Sequence, residues 1–146
     1  MMTPAIRDAQ VGDAQAIAEL ASELGYPSTS DDIIRRLPVL LESAEHLVIV
    51  AVEETDGVIG WLHAVLRRKL ETDDFVQVAA LVVSSHHRSQ GTGARMLESA
   101  EAWALESGVS LIRLSSNVAR ERAHAFYARE GYGMIKTSHQ FSKRLL

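Results

Sequence analysis

The most informative segment of the chain reads Val82-Val83-Ser84-Ser85-His86-His87-Arg88-Ser89-Gln90-Gly91-Thr92-Gly93-Ala94. An apolar strand leads into a polar loop, and the loop passes directly into a helix with two glycines in its first turn. Glycine inside a helix costs about 1 kcal/mol relative to alanine, so two in one turn need a physical reason. One reason is turn geometry or tight packing of the helix on the sheet. The other is close approach of a phosphate to the N–H groups that a helix N-terminus leaves free. The segment alone leaves both open.

The spacing of these glycines distinguishes between types of phosphate-binding loop. A P-loop requires Gly-Lys-Ser/Thr, whereas Gly93 is followed by Ala94 and Arg95. A dinucleotide fingerprint requires a small residue where Met96 stands. The pattern that remains is Arg88-x-x-Gly91-x-Gly93.

The segments around this loop predict a mixed sheet with helices packed on it. A hairpin signal comes first, with Asp56-Gly57 between two apolar runs, and a strand–helix–strand order follows. The predicted strands are 4–8, 47–52, 58–66, 75–83, 111–114 and a final pair within 133–145. The predicted helices begin at Asp13 and at Ser30 (as N-cap), cover 91–107, and follow the fifth strand. Pro38 is expected to kink or restart the second helix.

Length and composition restrict the class of protein. The 146 residues suit one domain, and 47% hydrophobic with 23% charged residues are ordinary values for a soluble globular chain. The net charge of -4 argues against nucleic-acid binding, which requires a basic face. The absence of cysteine excludes disulfides, thiolate metal sites and a cysteine nucleophile. No apolar run approaches the ~20 residues of a membrane helix and no secretory signal is visible, so we expect a cytoplasmic protein without a membrane partner.

A second motif lies downstream of the first. It reads Ser116-Asn117-Val118-Ala119-Arg120-Glu121-Arg122-Ala123-His124-Ala125-Phe126-Tyr127, followed by Gly131-Tyr132. Together with the glycine pattern after the Leu81-Val82-Val83 strand, it resembles the acetyl-CoA motif and the Asn…Ala-x-x-Phe-Tyr…Gly-Phe/Tyr segment of GNAT-superfamily N-acetyltransferases. The predicted order of elements also matches, so the resemblance covers nearly the whole chain.

The resemblance implies a fold and a reaction. The fold is α/β, a GNAT-like mixed, mostly antiparallel seven-stranded sheet with about four helices packed on both faces, in a single domain over 1–146. The reaction is transfer of acetyl from acetyl-CoA to a primary amine, by direct attack in a ternary complex. Neither cysteine nor a Gly-x-Ser-x-Gly elbow offers a covalent route. We expect a small-molecule acceptor rather than a protein, because no added domain for binding a protein substrate is seen in the sequence. A homodimer is expected only by analogy with the family.

The resemblance also implies which residues hold acetyl-CoA. The pyrophosphate sits on backbone N–H groups of the loop and helix start, and the pantetheine arm pairs with the fourth strand like an added strand. The residues at the matching positions are Leu81, Val82, Val83, Arg88, Ser89, Gln90, Gly91, Thr92, Gly93, Ala94 and Asn117. Asn117 is equally suited to capping the helix that follows it.

Tyr127 matches the family's general acid, which protonates the thiolate of coenzyme A as it leaves. A phenol with a pKa near ~10 is a reasonable proton donor to a thiolate. The alternative role is a core tyrosine, because Tyr127 belongs to an apolar helical stripe with Ala123 and Phe126.

The chain departs from the family at the general base. Many relatives carry Glu on the fourth strand where Gln77 stands, and an amide cannot accept the proton. The other candidates are Glu23, His63, Glu71, Asp73 and Asp74. Nothing in the sequence selects among them, and a further alternative is an amine that binds already neutral, with water relaying its proton. The departure keeps an alternative open, a non-catalytic acyl-CoA-binding sensor or regulatory module on the same fold.

A metal site is not expected. His86 and His87 are sequence neighbours and do not converge on one ion, and we expect no carboxylate to be suitably placed. Acetyl-CoA, as co-substrate, is the cofactor that we expect.

Overall fold

The computed structural model describes residues 3–116 and 120–146, which form five β-strands and four α-helices. The strands are β1 Ala5–Asp8, β2 His46–Glu53, β3 Gly57–Arg67, β4 Phe75–Val83 and β5 Ile112–Leu114. The helices are α1 Ala14–Glu23, α2 Ser30–Leu41, α3 Thr92–Glu106 and α4 Glu121–Arg129. The first five strands and the four helices lie where the sequence predicts them.

The strands form one sheet in the order β1-β2-β3-β4-β5. β1 to β4 pair antiparallel with their neighbours, whereas β5 lies parallel to β4. The parallel pair follows from the crossover through α3, since a hairpin can only join antiparallel strands. The mixed, mostly antiparallel sheet is therefore confirmed.

The prediction of seven strands is wrong, because residues 133–146 form no strand. Their large apolar side chains are exposed, among them Met134, Ile135 and Phe141. Strand propensity expresses how well a side chain packs on a half-buried sheet surface, and an isolated pair of strands is marginal in water. A segment that buries none of its apolar side chains lacks that stabilisation, so the described sheet has five strands.

Helices cover both faces of this sheet. On one face, Val48 of β2 belongs to a buried cluster with Ile17 of α1 and Leu37 of α2. On the other face, a Cβ added to Gly60 of β3 would lie 3.0 Å from Cε of Met96 on α3. Because successive side chains of a strand point to opposite faces, β2 and β3 contribute to both cores.

Local hydrogen bonds determine where the helices begin. The Asp13 carboxylate, which ends a 3₁₀ turn before α1, accepts two hydrogen bonds from Arg7, at 2.8 and 3.0 Å. The N-cap of α2 is Thr29 rather than Ser30, since Thr29 and Asp32 exchange hydrogen bonds of 3.0 and 3.1 Å. α2 continues through Pro38 to Leu41 without restarting. Every helix in the described ranges is too short or too polar to span a bilayer.

The chain divides into two compact units, residues 1–114 and 115–146. The first contains the sheet with α1, α2 and α3, and the second contains α4. The expectation of one domain over 1–146 remains a prediction.

Candidate functional site

The loop after β4 has a backbone suited to an anion. Ser84 caps a single 3₁₀ turn, Ser85–His87, by accepting a hydrogen bond from the His86 N–H at 3.4 Å. Ser89 and Gly91 then both have positive φ, 66° and 81°. Left-handed residues within a turn can aim backbone N–H groups into one concavity, which is the nest geometry of many phosphate sites. This conformation accounts for glycine at position 91.

The N-terminus of α3 adds more donors. The Arg95 N–H donates to the Gly91 carbonyl at 3.0 Å, so the N–H groups of Thr92, Gly93 and Ala94 have no acceptor within the helix. Thr92 is 2% exposed, and its buried Oγ1 has no hydrogen-bond partner in the described structure. An unpaired buried hydroxyl costs about 1–3 kcal/mol. These donors and the positive end of the helix dipole fit a pyrophosphate.

The edge of β4 next to this loop is open. β5 pairs with Val76, Gln77 and Val78 only, and no strand of the described structure pairs with that edge beyond Val78. Leu81, Val82 and Val83 all lie in this open part, while β3 pairs with them on the other side. An open edge next to the loop is the arrangement that strand-like addition of a pantetheine arm requires.

Two other elements hold the loop in place. His87 Nε2 lies 2.8 Å from Asp56 Oδ2, in the turn between β2 and β3, and 3.6 Å from Glu53 Oε2. The Ser85 N–H donates to Glu23 Oε2 of α1 at 3.4 Å. The hairpin and α1 thereby contact the segment that precedes Arg88.

The two carboxylates beside His87 are a finding that sequence reasoning missed. Glu53, Asp56 and His87 offer ligand atoms that all lie within 4.8 Å of one another, a spacing that a divalent cation could bridge. The expectation that no carboxylate is suitably placed near the histidines is wrong, because the fold brings Asp56 and Glu53 beside His87. Asp56 is 31 positions from His87, and no sequence spacing signals the pair. A hydrogen bond between His87 and Asp56 accounts for the geometry, and the absence of a metal remains a prediction.

A pair of histidines lies on the sheet face that α1 and α2 cover. Trp61 packs against the core of that face, and His63 and Val65 follow it at alternate positions of β3. His46 Nδ1 lies 2.9 Å from His63 Nε2, and the two rings stack with centroids 5.2 Å apart. Burial, followed by the charge of His46, lowers the pKa of His63 to about 4. His63 is therefore neutral at physiological pH.

Gln77 lies on the same face as His63. It is the register partner of Val65, and His63 is the partner of Ala80. The register shifts between His63 and Ala64, where β4 inserts Ala79. The structure thus brings His63 onto the face that Gln77 shares through the β3–β4 ladder.

Tyr127 is half-buried on α4, in the second unit. Its ring contacts Phe126 and Tyr132 edge to face, with centroids 5.3 and 6.2 Å away. Burial raises the pKa of the Tyr127 phenol above its usual range, and the Arg120 cation opposes that shift. The phenol therefore keeps its proton at neutral pH. Asn117, the other site residue expected in this part of the chain, lies outside the described residues.

Comparisons with known proteins agree with this geometry. Residues 14–132 match the Acetyltransferase (GNAT) family. The uncharacterized N-acetyltransferase YhdJ of Bacillus subtilis (strain 168) is 27% identical over 124 residues, which cover 85% of this chain and 86% of that protein.

A second relative matches over a shorter range at higher identity. The aminoalkylphosphonate N-acetyltransferase of Salmonella typhimurium is 43% identical over 70 residues, which cover 47% of this chain and 44% of that protein. Among solved structures, the aminoglycoside N-acetyltransferase AAC(6')-Iy in complex with CoA superposes with a TM-score of 0.85 at 14% identity. That match covers 97% of this chain and 95% of the other.

Proposed function

Because the chain belongs to the acetyltransferase (GNAT) family and is an N-acetyltransferase, we propose that it transfers acetyl from acetyl-CoA to a primary amine of a small molecule. The observation that carries the cofactor assignment is the start of α3. There the N–H groups of Thr92, Gly93 and Ala94 have no acceptor within the helix.

This geometry supports the following assignment of the residues that hold acetyl-CoA. The N–H groups from Ser89 to Ala94 donate hydrogen bonds to the pyrophosphate oxygens, with Arg88 as the adjacent cation. The open edge of β4 at Leu81, Val82 and Val83 pairs with the pantetheine arm. Asn117, which lies outside the described residues, is the further residue that we propose for binding the same arm. The bound acetyl-CoA supplies an activated thioester, and the chain's residues supply orientation and proton transfer.

Tyr127 is the proton donor to the departing thiolate. A phenol whose pKa is raised by burial is fully protonated at neutral pH, which is the state a general acid needs. Attack by the amine is direct, since the chain has no cysteine to carry the acetyl group.

The acceptor is a small molecule with a primary amine. Both named relatives support this class, since one acts on aminoalkylphosphonates and the other on aminoglycosides. We therefore choose 2-aminoethylphosphonate and a 6'-amino aminoglycoside as the first acceptors to assay.

Thermal melting with coenzyme A, acetyl-CoA, ATP and NAD tests the cofactor assignment. A ligand at a hundred times its dissociation constant adds about 2.7 kcal/mol, which is several degrees at this chain length. We expect a shift with the two CoA species and none with ATP or NAD. The Gly91→Ala variant should lose that shift, whereas Gly108→Ala, at a similar positive φ of 78° beyond α3, should keep it.

Release of free thiol from acetyl-CoA, with and without each amine, tests the reaction. Amine-dependent release supports the enzyme. Gln77 is the observation that favours a second function, an acyl-CoA sensor, because it stands where many relatives have an acid. Tight CoA binding with no thiol release for any amine would select the sensor.

A further inference from the structure

One step of the proposed reaction, removal of the proton from the attacking amine, has no residue assigned to it. The attacking amine must lose a proton as its nitrogen bonds to the acetyl carbon, and Gln77 cannot accept that proton. Resting on the proposed function, we propose that His63 accepts this proton and that His46 is the positioning residue that orients it.

The position of His63 carries the assignment. Its register partner on β4 is Ala80, the residue immediately before the proposed pantetheine-binding segment at Leu81. The inserted Ala79 bends β4 at this point, as bulges do near many active sites. His63 thus lies one strand away from the proposed cofactor edge and on the same face as Gln77. From this position His63 can accept the proton that the Gln77 amide cannot accept.

The contact with His46 fixes the tautomer and the orientation of the His63 imidazole, which a proton acceptor needs. If His63 Nε2 carries the proton and donates it to His46 Nδ1, at 2.9 Å, then His63 Nδ1 has a free lone pair. The stacked rings restrict the orientation of His63 further. This arrangement parallels other sites in which a second group fixes the tautomer of a catalytic histidine.

The surroundings keep His63 in its basic form. His46 on β2 is its titratable neighbour. Gln77 on β4 is uncharged, and its register partner on β5 is the cation Arg113. The helices α1 and α2 contribute four apolar residues to the buried cluster on this face. Those residues are Ile17, Ile33, Leu37 and Leu40. With a pKa of about 4, His63 is unprotonated throughout the neutral range. A weak base suffices here, because the amine nitrogen becomes strongly acidic as it bonds to carbon.

The step balances in atoms and charge. The neutral amine forms a C–N bond with the acetyl carbon, and its surplus proton moves to His63 Nδ1. The C–S bond breaks, and the thiolate takes the proton of Tyr127. Solvent then removes the proton from His63 and returns one to Tyr127.

Substitution of His63 by Gln tests the assignment, with the better acceptor of 2-aminoethylphosphonate and the aminoglycoside as probe. We expect kcat to fall by roughly 10²- to 10⁴-fold, the usual contribution of a general base. The melting shift with coenzyme A should remain, which shows that the variant folds and binds cofactor. His139→Gln, at an exposed histidine outside the proposed site, is the matched control and should keep wild-type kcat.

A rescue experiment separates catalysis from packing. Gln77→Glu restores a carboxylate on the same face, at the position that many relatives use. In the His63→Gln background it should recover a large part of kcat. A purely structural role for His63 predicts no such recovery.

The pH profile tests the role of His46. Burial is the larger cause of the low pKa of His63 and the charge of His46 is the smaller one, so His46→Asn should raise this pKa only partway from about 4. Below that pKa the base is protonated, so the acid limb of kcat/KM should shift to higher pH than in wild type. The ammonium group of the acceptor titrates equally in both proteins, so the difference between profiles reports on His63.

The outcomes are distinguishable. Wild-type kcat in His63→Gln, with amine-dependent turnover intact, overturns the assignment of His63 and leaves the proposed function standing. Failure of Gln77→Glu to rescue, or an acid limb unmoved in His46→Asn, also overturns it. A wild-type protein that binds no CoA species overturns the proposed function, and this inference with it.

Discussion

At the scale of single residues, Tyr127 gives the sharpest expectation. Tyr127→Phe removes the phenolic proton and leaves the ring contacts with Phe126 and Tyr132. We expect kcat to fall by roughly 10²-fold or more with little change in the KM for acetyl-CoA, since a general acid acts only in the transition state. Steady-state kinetics at saturating amine measure this. Full turnover in the variant would show that another group, or water, is the acid.

Gly60 is a residue whose importance only the structure reveals. A Cβ at this position would lie 2.9 Å from the Val82 carbonyl oxygen and 3.0 Å from Cε of Met96. Gly60→Ala should therefore destabilise the fold by about 1–3 kcal/mol, as overpacking does, and lower Tm by several degrees. Gly12→Ala is the matched control, because nothing lies within 4 Å of its added Cβ. Equal Tm values for the two variants would contradict the close approach of β3, β4 and α3.

At the scale of elements, the β2–β3 hairpin supports the loop that precedes α3. Asp56→Asn weakens the bond to His87, and we expect the Kd for coenzyme A to rise by several-fold, up to about tenfold for a pair half open to solvent. Calorimetric titration with coenzyme A measures the change. Glu54→Gln, a neighbouring exposed carboxylate, is the control and should leave Kd unchanged. An unaltered Kd in Asp56→Asn would show that the contact between Asp56 and His87 does not contribute to the binding of coenzyme A.

Elements with a strong local signal could be predicted from the sequence. β4 begins and ends at the predicted residues, because its apolar run is bounded by polar loops. The final strand pair is wrong because Met134, Ile135 and Phe141 carry strand propensity while the segment buries no side chain that would stabilise pairing. Propensity is a local property, whereas strand formation depends on a partner.

At the scale of the whole molecule, the candidate site depends on contacts that no local pattern reveals. The glycine loop could be predicted, since its residues are contiguous. The bond between His87 and Asp56 joins positions 31 apart, and that between His63 and His46 joins positions 17 apart. Such pairs follow from strand register and hairpin placement, which tertiary packing determines. Sequence alone therefore proposes a contiguous loop for the cofactor but does not select a base.

The open edge of β4 has a consequence for handling the protein. Unpaired backbone groups beyond Val78 form a template on which another chain can add a strand, which is the common route to aggregation at sheet edges. If the cofactor arm covers this edge, the ligand-free protein should aggregate sooner on heating than the protein with saturating coenzyme A. Light scattering during a thermal ramp, compared at equal fractions unfolded, measures the difference. The same edge would then serve catalysis when covered and limit shelf life when bare.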